Sequence, residues 1–252
     1  MIDSPDKTSL CLKNNPINNA RHAAIERERI RLEYQRGARD LDSDLYDSRQ
    51  PSYRLMLDDR NRKAAMMLQR QGVFPKTGDR CLEVGFGSIG WLSELIGWGV
   101  SESDLYGIEL DPGRAARARE IHPKADLHIG DAVNLPWEDK TFRLVIASTL
   151  FTSVLDDNVR RLIADEIIRV LMPGGALLWY DFAYNNPRNP NVRGIGRAEI
   201  KKLFPTLKGK IRTVTLAPPL ARFIAPKSLL LAAFLEAIPV LRTHLIAILV
   251  KH

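Results

Sequence analysis

Three carboxylates and three glycines carry the chemistry that can be read from this chain. The run from Arg80 to Trp91 is a short apolar stretch (Cys81, Leu82, Val84) that carries one acid, Glu83. It then breaks into Gly85, Gly87 and Gly90 before an apolar-periodic helix starts near Trp91. Glycine lacks a Cβ, so such a turn can take positive φ and let a ligand approach the backbone closely. The helix after it presents free N–H groups to polar or anionic atoms. Glu109 closes the apolar run Leu105–Glu109, 19 residues beyond Gly90, where a carboxylate can hold both hydroxyls of a ribose. Asp131, in Gly130-Asp131-Ala132 after a third apolar run, can accept from an adenine amino group. Together these residues describe a nucleoside site. The G-x-G-x-x-G spacing alone is equally compatible with a dinucleotide.

These residues need a scaffold that brings strand ends together. Strands are predicted at 80–84, 104–109, 125–129, 143–148 and 175–182, with helices at 90–98, 113–120 and 157–171 between them. Strands alternating with helices predict a parallel sheet covered on both faces, whose ligand crevice lies outside the carboxyl ends of the strands. The glycines, Glu109 and Asp131 all come directly after such ends. The rhythm then changes to a helix at 197–204, a strand at 211–216, an apolar helix at 227–237 and a last strand at 243–250. Ahead of the sheet, residues 20–40 read as a charged helix whose apolar stripe is thin, so it must lie on another element to persist. A second helix over 54–71 ends at Gly72. The predicted organisation is a flexible tail over 1–19, a helical extension or lid over 20–75 and a ligand-binding domain over 76–252.

From Arg80 to the Pro173-Gly174-Gly175 turn the chain resembles the class I S-adenosylmethionine (SAM)-dependent methyltransferases. The likeness rests on Glu83-Val-Gly-Phe-Gly, on Glu109, on Gly130-Asp131-Ala132, on the strand beginning Phe142-Arg143-Leu144-Val145, and on Arg169-Val-Leu-Met-Pro-Gly-Gly. It implies an α/β Rossmann-like fold with a seven-stranded sheet, mostly parallel with an antiparallel last strand, for which 243–250 is the candidate. It implies S-adenosylmethionine as cofactor, with Glu83 near the methionine amino group, Gly85 and Gly87 against the cofactor backbone, Glu109 on the ribose and Asp131 on the adenine. Ala132, beside Asp131, and Ser148, at the end of the fourth strand, are counted with these cofactor contacts. Gly90 stands one place later than in the commonest family pattern, which leaves its contact open.

The acceptor side is read from the residues after the fourth and fifth strands. Ser148-Thr149-Leu150-Phe151-Thr152 holds no strong base and no Asn/Asp-Pro-Pro-aromatic motif, which speaks against methylation of nucleic-acid bases at amino groups. Asp181 is the candidate base or acceptor-orienting group; a buried, hydrogen-bonded carboxylate is the competing reading. Tyr184, Asn185, Arg188 and Arg193 lie in a polar loop suited to a hydroxyl-rich or anionic acceptor. Tyr34 can close over the cofactor, where an aromatic face near a sulfonium is favourable, or simply pack. The resulting function is O-methylation of a small molecule or glycan hydroxyl. Two alternatives stay open: an NAD(P)-dependent oxidoreductase, and a non-catalytic SAM-binding partner or sensor. No metal is expected.

Charge and composition bound the partners. From Arg188 onward twelve basic residues face only Glu199 and Glu236, which can suit an anionic lipid surface, a phosphorylated ligand or RNA. Nucleic acid is the least favoured of these. Two cysteines make no disulfide framework and the first residues show no apolar leader, so a cytoplasmic location is expected. The apolar stretch 216–241, flanked by Arg222, Lys227 and Arg242, is either a core helix or a peripheral contact with the inner face of a membrane. Lys227, Glu236 and Pro239 interrupt it before it reaches a membrane span.

Overall fold

The computed structural model describes residues 16–40, 50–87, 90–187 and 189–252, with side chains of the first helix described up to residue 36. Of the tail expected over 1–19, residues 1–15 therefore lie outside the described residues, as does Arg188, and residues 16–19 belong to the first helix. The order of elements is α1 (Pro16–Asp40), α2 (Pro51–Arg70), β1 (Cys81–Val84), α3 (Leu92–Gly97), β2 (Leu105–Glu109), α4 (Pro112–Ile121), β3 (Asp126–Ile129) and β4 (Phe142–Ser148). Beyond them lie α5 (Asp157–Val170), β5 (Leu171–Phe182), α6 (Arg197–Leu203), β6 (Leu207–Leu216), α7 (Pro218–Ile224), α8 (Leu229–Glu236) and β7 (Arg242–Lys251).

The seven strands form one sheet in the order β3-β2-β1-β4-β5-β7-β6. β1 to β5 pair in parallel, and β7 runs antiparallel to both β5 and β6. The α/β fold with an antiparallel last strand is as expected. A dinucleotide fold would instead build a second parallel half beyond β4, and β7 between β5 and β6 takes its place, which disfavours the oxidoreductase reading.

Alternate residues of the central strands enter two cores. Val145, Ala147, Leu177 and Trp179 pack with Val159, Ile163 and Ile167 of α5. Leu144, Ile146, Leu178 and Ile248 pack on the opposite face with Ala64 and Leu68 of α2 and Leu95 of α3. Both faces are dry, so these strands read as continuous apolar runs rather than as alternating ones.

Three boundaries differ from the sequence reading. β5 continues from α5 without a loop and begins at Leu171; the register jumps from Phe142↔Leu171 to Leu144↔Ala176, and Pro173-Gly174-Gly175 forms the irregularity. Gly174 has φ +75°, and a Cβ on Gly175 would meet the carbonyl oxygens of Met172, Arg143 and Phe142 at 2.9–3.0 Å. β6 starts at Leu207, earlier than expected, because Lys208, Gly209 and Lys210 lie on the sheet's edge strand, where exposed lysines are tolerated. The helix expected over 227–237 is α8, and ahead of it stands α7, which was not expected, with Pro218 and Pro219 opening α7 and Ser228 capping α8.

Candidate functional site

β1 delivers Glu83 into the interior, 1% exposed, and its Oε2 accepts from the backbone N–H of Trp91 at 2.7 Å. Burial pushes its carboxyl up to about 8, against the restraint of the Trp91 N–H and of the Arg60 guanidinium. Gly85 and Gly87 both take positive φ, +72° and +58°. A side chain on Gly87 would meet nothing within 4 Å, so its Cα faces open space, as a ligand cradle requires. Gly90 has the opposite character: a Cβ there would lie 2.5 Å from Glu83 Oε2 and 2.9 Å from the carbonyl of Phe86. The third glycine is thus needed to make room for Glu83.

Glu109 ties the edge together. Its Oε2 accepts from Gly87 N–H at 2.8 Å and its Oε1 from Asp111 N–H at 2.9 Å, so one carboxylate bridges the loops after β1 and β2. Each oxygen keeps a second lone pair for an incoming hydroxyl. Asp111 caps α4 through Arg114 N–H, and the Arg114 guanidinium lies 4.0 Å from the centre of the Tyr34 ring. Burial first, and then the charge of Glu109, push the Tyr34 phenol up. The helix that carries Tyr34 therefore reaches the ribose end of the expected site. Asp131, after β3, orders its own turn by accepting from Val133 N–H and meets Arg27 of α1 at 3.5 Å. Ala132 packs against the adjoining core, and Ser148 ends β4 beside Tyr180.

α1 is latched by polar groups, which is why its apolar stripe is thin. Glu26 is 5% exposed and accepts from Leu155 N–H and from Arg29, whose guanidinium also donates to the carbonyl of Ser153. One turn earlier His22 Nδ1 lies 2.6 Å from Asp156, the N-cap of α5. Glu33 accepts from Asn191 at 2.7 Å. Sequence reasoning missed this set. The signal was available in the spacing of His22, Glu26, Arg29 and Glu33, which share one face of a helix.

The acceptor-side residues divide. Asp181 is 1% exposed, and its carboxylate accepts from the Thr152 hydroxyl at 2.5 Å, the Thr152 N–H at 3.1 Å and the Phe182 N–H at 3.0 Å. Burial pushes it up to about 6. With three donors on it, Asp181 acts as the anchor of the turn Phe151–Ser153, the competing reading, rather than as a group facing an acceptor. Arg193 is also committed: it pairs with Asp157 at 2.5 Å and Glu199 at 2.8 Å. It is therefore not a free cation for a phosphate. Asn185 accepts from Gly194 N–H at 2.9 Å and shapes the loop, whereas Tyr184 is 64% exposed at the carboxyl edge. A second residue absent from the sequence reading is Arg60 of α2, buried with its guanidinium 4.0 Å from the centre of the Trp91 ring and acting on Glu83 by charge.

The residue set fits a nucleoside cofactor with a cationic end: a glycine cradle, a carboxylate bridge beside it and a buried acid at its base. Residues 81–175 match a family model described as a methyltransferase domain. Norajmaline N-methyltransferase from Rauvolfia serpentina is 30% identical over 94 residues, covering 36% of this chain and 31% of that one. Phthiotriol/phenolphthiotriol dimycocerosates methyltransferase 1 from Mycobacterium ulcerans is 33% identical over 132 residues, covering 51% of this chain and 47% of that one. The chain thus spans less than half the length of these curated relatives. A SAM-dependent methyltransferase from Thermotoga maritima shares the fold, with a TM-score of 0.57 at 17% identity over 89% of this chain and 98% of that one. By sequence the likeness to a methyltransferase domain runs over residues 81–175, and across the whole sheet the chain shares the fold of solved S-adenosylmethionine-dependent methyltransferases.

Proposed function

We propose that this chain binds S-adenosylmethionine along the carboxyl edge of β1 to β3 and transfers its methyl group to a hydroxyl of a small molecule or glycan. The observation that carries the reading is the Glu109 bridge. One carboxylate holds Gly87 N–H and Asp111 N–H and still offers lone pairs to two ribose hydroxyls, with Tyr34 closing over it. Glu83 and the cradle at Gly85 and Gly87 would hold the methionine end, and Asp131 with Ala132 the adenine.

The cofactor supplies an already activated methyl on a sulfonium, so the protein's tasks are alignment and exclusion of water. α1 suits the second task, because Arg27, Glu26, Arg29 and His22 fasten it across the loops after β3 and β4. Asp181 supports the first by fixing the turn Phe151–Ser153 beside the end of β4. The small-molecule class is supported by the names of the relatives, one an N-methyltransferase of norajmaline and the other a methyltransferase of phthiotriol/phenolphthiotriol dimycocerosates. The choice of oxygen is our own reading of the polar loop Asn185–Arg193.

Calorimetry with SAM and with NAD tests the donor: SAM binding without NAD binding is expected, and the reverse overturns the reading. A panel of hydroxyl, amine and carbon acceptors with labelled SAM tests the atom. Label found only on nitrogen or carbon overturns O-methylation, and SAM binding without turnover on any acceptor favours a sensor or partner module.

A further inference from the structure

α7 and α8 bury Ala221 and Ala232 and pack Leu220, Ile224 and Leu235 inward, but they leave five large apolar residues exposed. Ala221, Ala225 and Ala232 face inward with Leu216, and Glu236 is buried with them, ion-paired to Lys63 and Arg242. Outward point Phe223, Leu229, Leu230, Leu231, Phe234 and Val240, with Leu230 and Val240 each 86% exposed. A helix pair that served only to fill the core would bury these side chains as well, because burying Leu and Phe gives far more than burying Ala. From Arg222 to Val240 every exposed residue is apolar except Arg222 and Lys227, both cations. Lys227 Nζ sits 3.8 Å over the Phe223 ring, which joins charge and apolar surface in one patch. The one acid in the segment, Glu236, is kept off the surface by its two partners.

We infer that this face of α7, α8 and the Pro239–Leu241 turn docks on an anionic lipid bilayer, with the Leu and Phe side chains in the acyl boundary and Arg222 and Lys227 at the headgroups. An apolar segment whose exposed charges, Arg222 and Lys227, are both cations matches an in-plane amphipathic contact with acidic lipid. Among the described residues no helix is long and apolar enough to cross a membrane, so the contact is peripheral. The place of this face in the fold bears on the acceptor. Leu216, at the end of β6, pairs with Arg242, at the start of β7, and Phe182, at the end of β5, pairs with His244. The apolar face therefore lies on the carboxyl edge of the sheet, beyond the β4 and β5 ends where the proposed function puts the acceptor. Given that reading, docking turns the acceptor side toward the lipid and leaves the β1 to β3 donor side further along the same edge.

Co-sedimentation of the full chain with phosphatidylcholine vesicles, with and without phosphatidylglycerol, tests the inference and needs neither donor nor acceptor. Binding is expected only with phosphatidylglycerol and should weaken as salt rises. Leu230→Glu and Phe234→Glu should each weaken it on the order of tenfold or more. Both sites are exposed, so an unchanged circular dichroism spectrum is expected, and Arg222→Glu with Lys227→Glu gives a second, purely electrostatic readout. Failure to bind either vesicle overturns the inference. Binding that ignores phosphatidylglycerol overturns its charge component. A dimer by light scattering that Phe234→Glu dissolves, without vesicle binding, reassigns the face to a second copy. Loss of SAM binding with lipid binding intact would sink the proposed function and leave this surface standing.

Discussion

Glu83 and Gly90 occupy one another's space: a single Cβ on Gly90 would come within 2.5 Å of Glu83 Oε2. That oxygen is also the acceptor for Trp91 N–H, so the glycine, the acid and the start of α3 form one unit. Gly90→Ala is expected to push the carboxylate aside. The cost is about 1–3 kcal/mol of stability, as for other small-to-large changes in packed interiors. SAM affinity should fall more than stability alone explains, because Glu83 would no longer stand where a cationic ligand end needs it. Thermal unfolding and calorimetry on the same sample separate the two effects, and an Ala variant that binds SAM as wild type does would show that Gly90 is dispensable.

Glu83 makes SAM binding depend on pH. Its folded-state pKa of about 8 lies above the ordinary carboxylate range, because burial disfavours the charge. The folded protein holds this proton more tightly than the unfolded chain, so the group's contribution to stability is complete below the ordinary carboxylate range and is lost as pH rises through about 8. A cationic ligand has the opposite preference and favours the ionised acid. SAM affinity should therefore rise with pH toward about 8, by at most about tenfold per unit, and level off above it. Calorimetry near neutral pH in buffers of different ionisation enthalpy should detect proton release on binding. Glu83→Gln should abolish both the slope and the release.

How much of this was legible in the sequence depends on how local each feature is. The place of Glu83, Gly85, Gly87, Glu109 and Asp131 along one edge of the sheet was readable because each stands at or just beyond the end of a strand. The role of Gly90 was not, because it depends on a side chain seven residues away folding back onto it. Arg60 was also hidden, because its partners lie on other elements. The α1 latch left a trace in the shared helix face of His22, Glu26, Arg29 and Glu33, but that spacing does not name the loops to which they bind. α7 and α8 were readable as apolar. Which face they bury was not, since alanine and leucine both count as apolar and only the packing sorts them.

The latch predicts that α1 can be loosened without unfolding the sheet. Glu26→Ala removes the acceptor of Leu155 N–H and the partner of Arg29, leaving a buried donor unsatisfied at about 1–3 kcal/mol. Amide exchange should speed up across residues 16–40 while β4 and β5 stay protected. SAM affinity should drop because Tyr34 and Arg27 ride on the same helix. Exchange that rises uniformly through the sheet would instead make α1 an integral part of the global fold.

Asp181 supplies the sharpest test of the acceptor side. As a base it would lose on the order of a hundredfold or more in rate on conversion to Asn, the scale of a missing proton acceptor. As the anchor of Thr152 it should not, since an Asn carbonyl in the place of Oδ1 still accepts two of the three hydrogen bonds, from the Thr152 hydroxyl and the Phe182 N–H, and the side-chain volume is kept. The expected result for Asp181→Asn is turnover within about tenfold of wild type and a loss of about 1–3 kcal/mol in stability, because a buried partner is mismatched. Thr152→Val should mimic the stability loss, since it deletes the 2.5 Å hydroxyl bond and nothing else on Asp181. A hundredfold rate loss in Asp181→Asn with unchanged unfolding, and no effect of Thr152→Val, would return Asp181 to the chemistry.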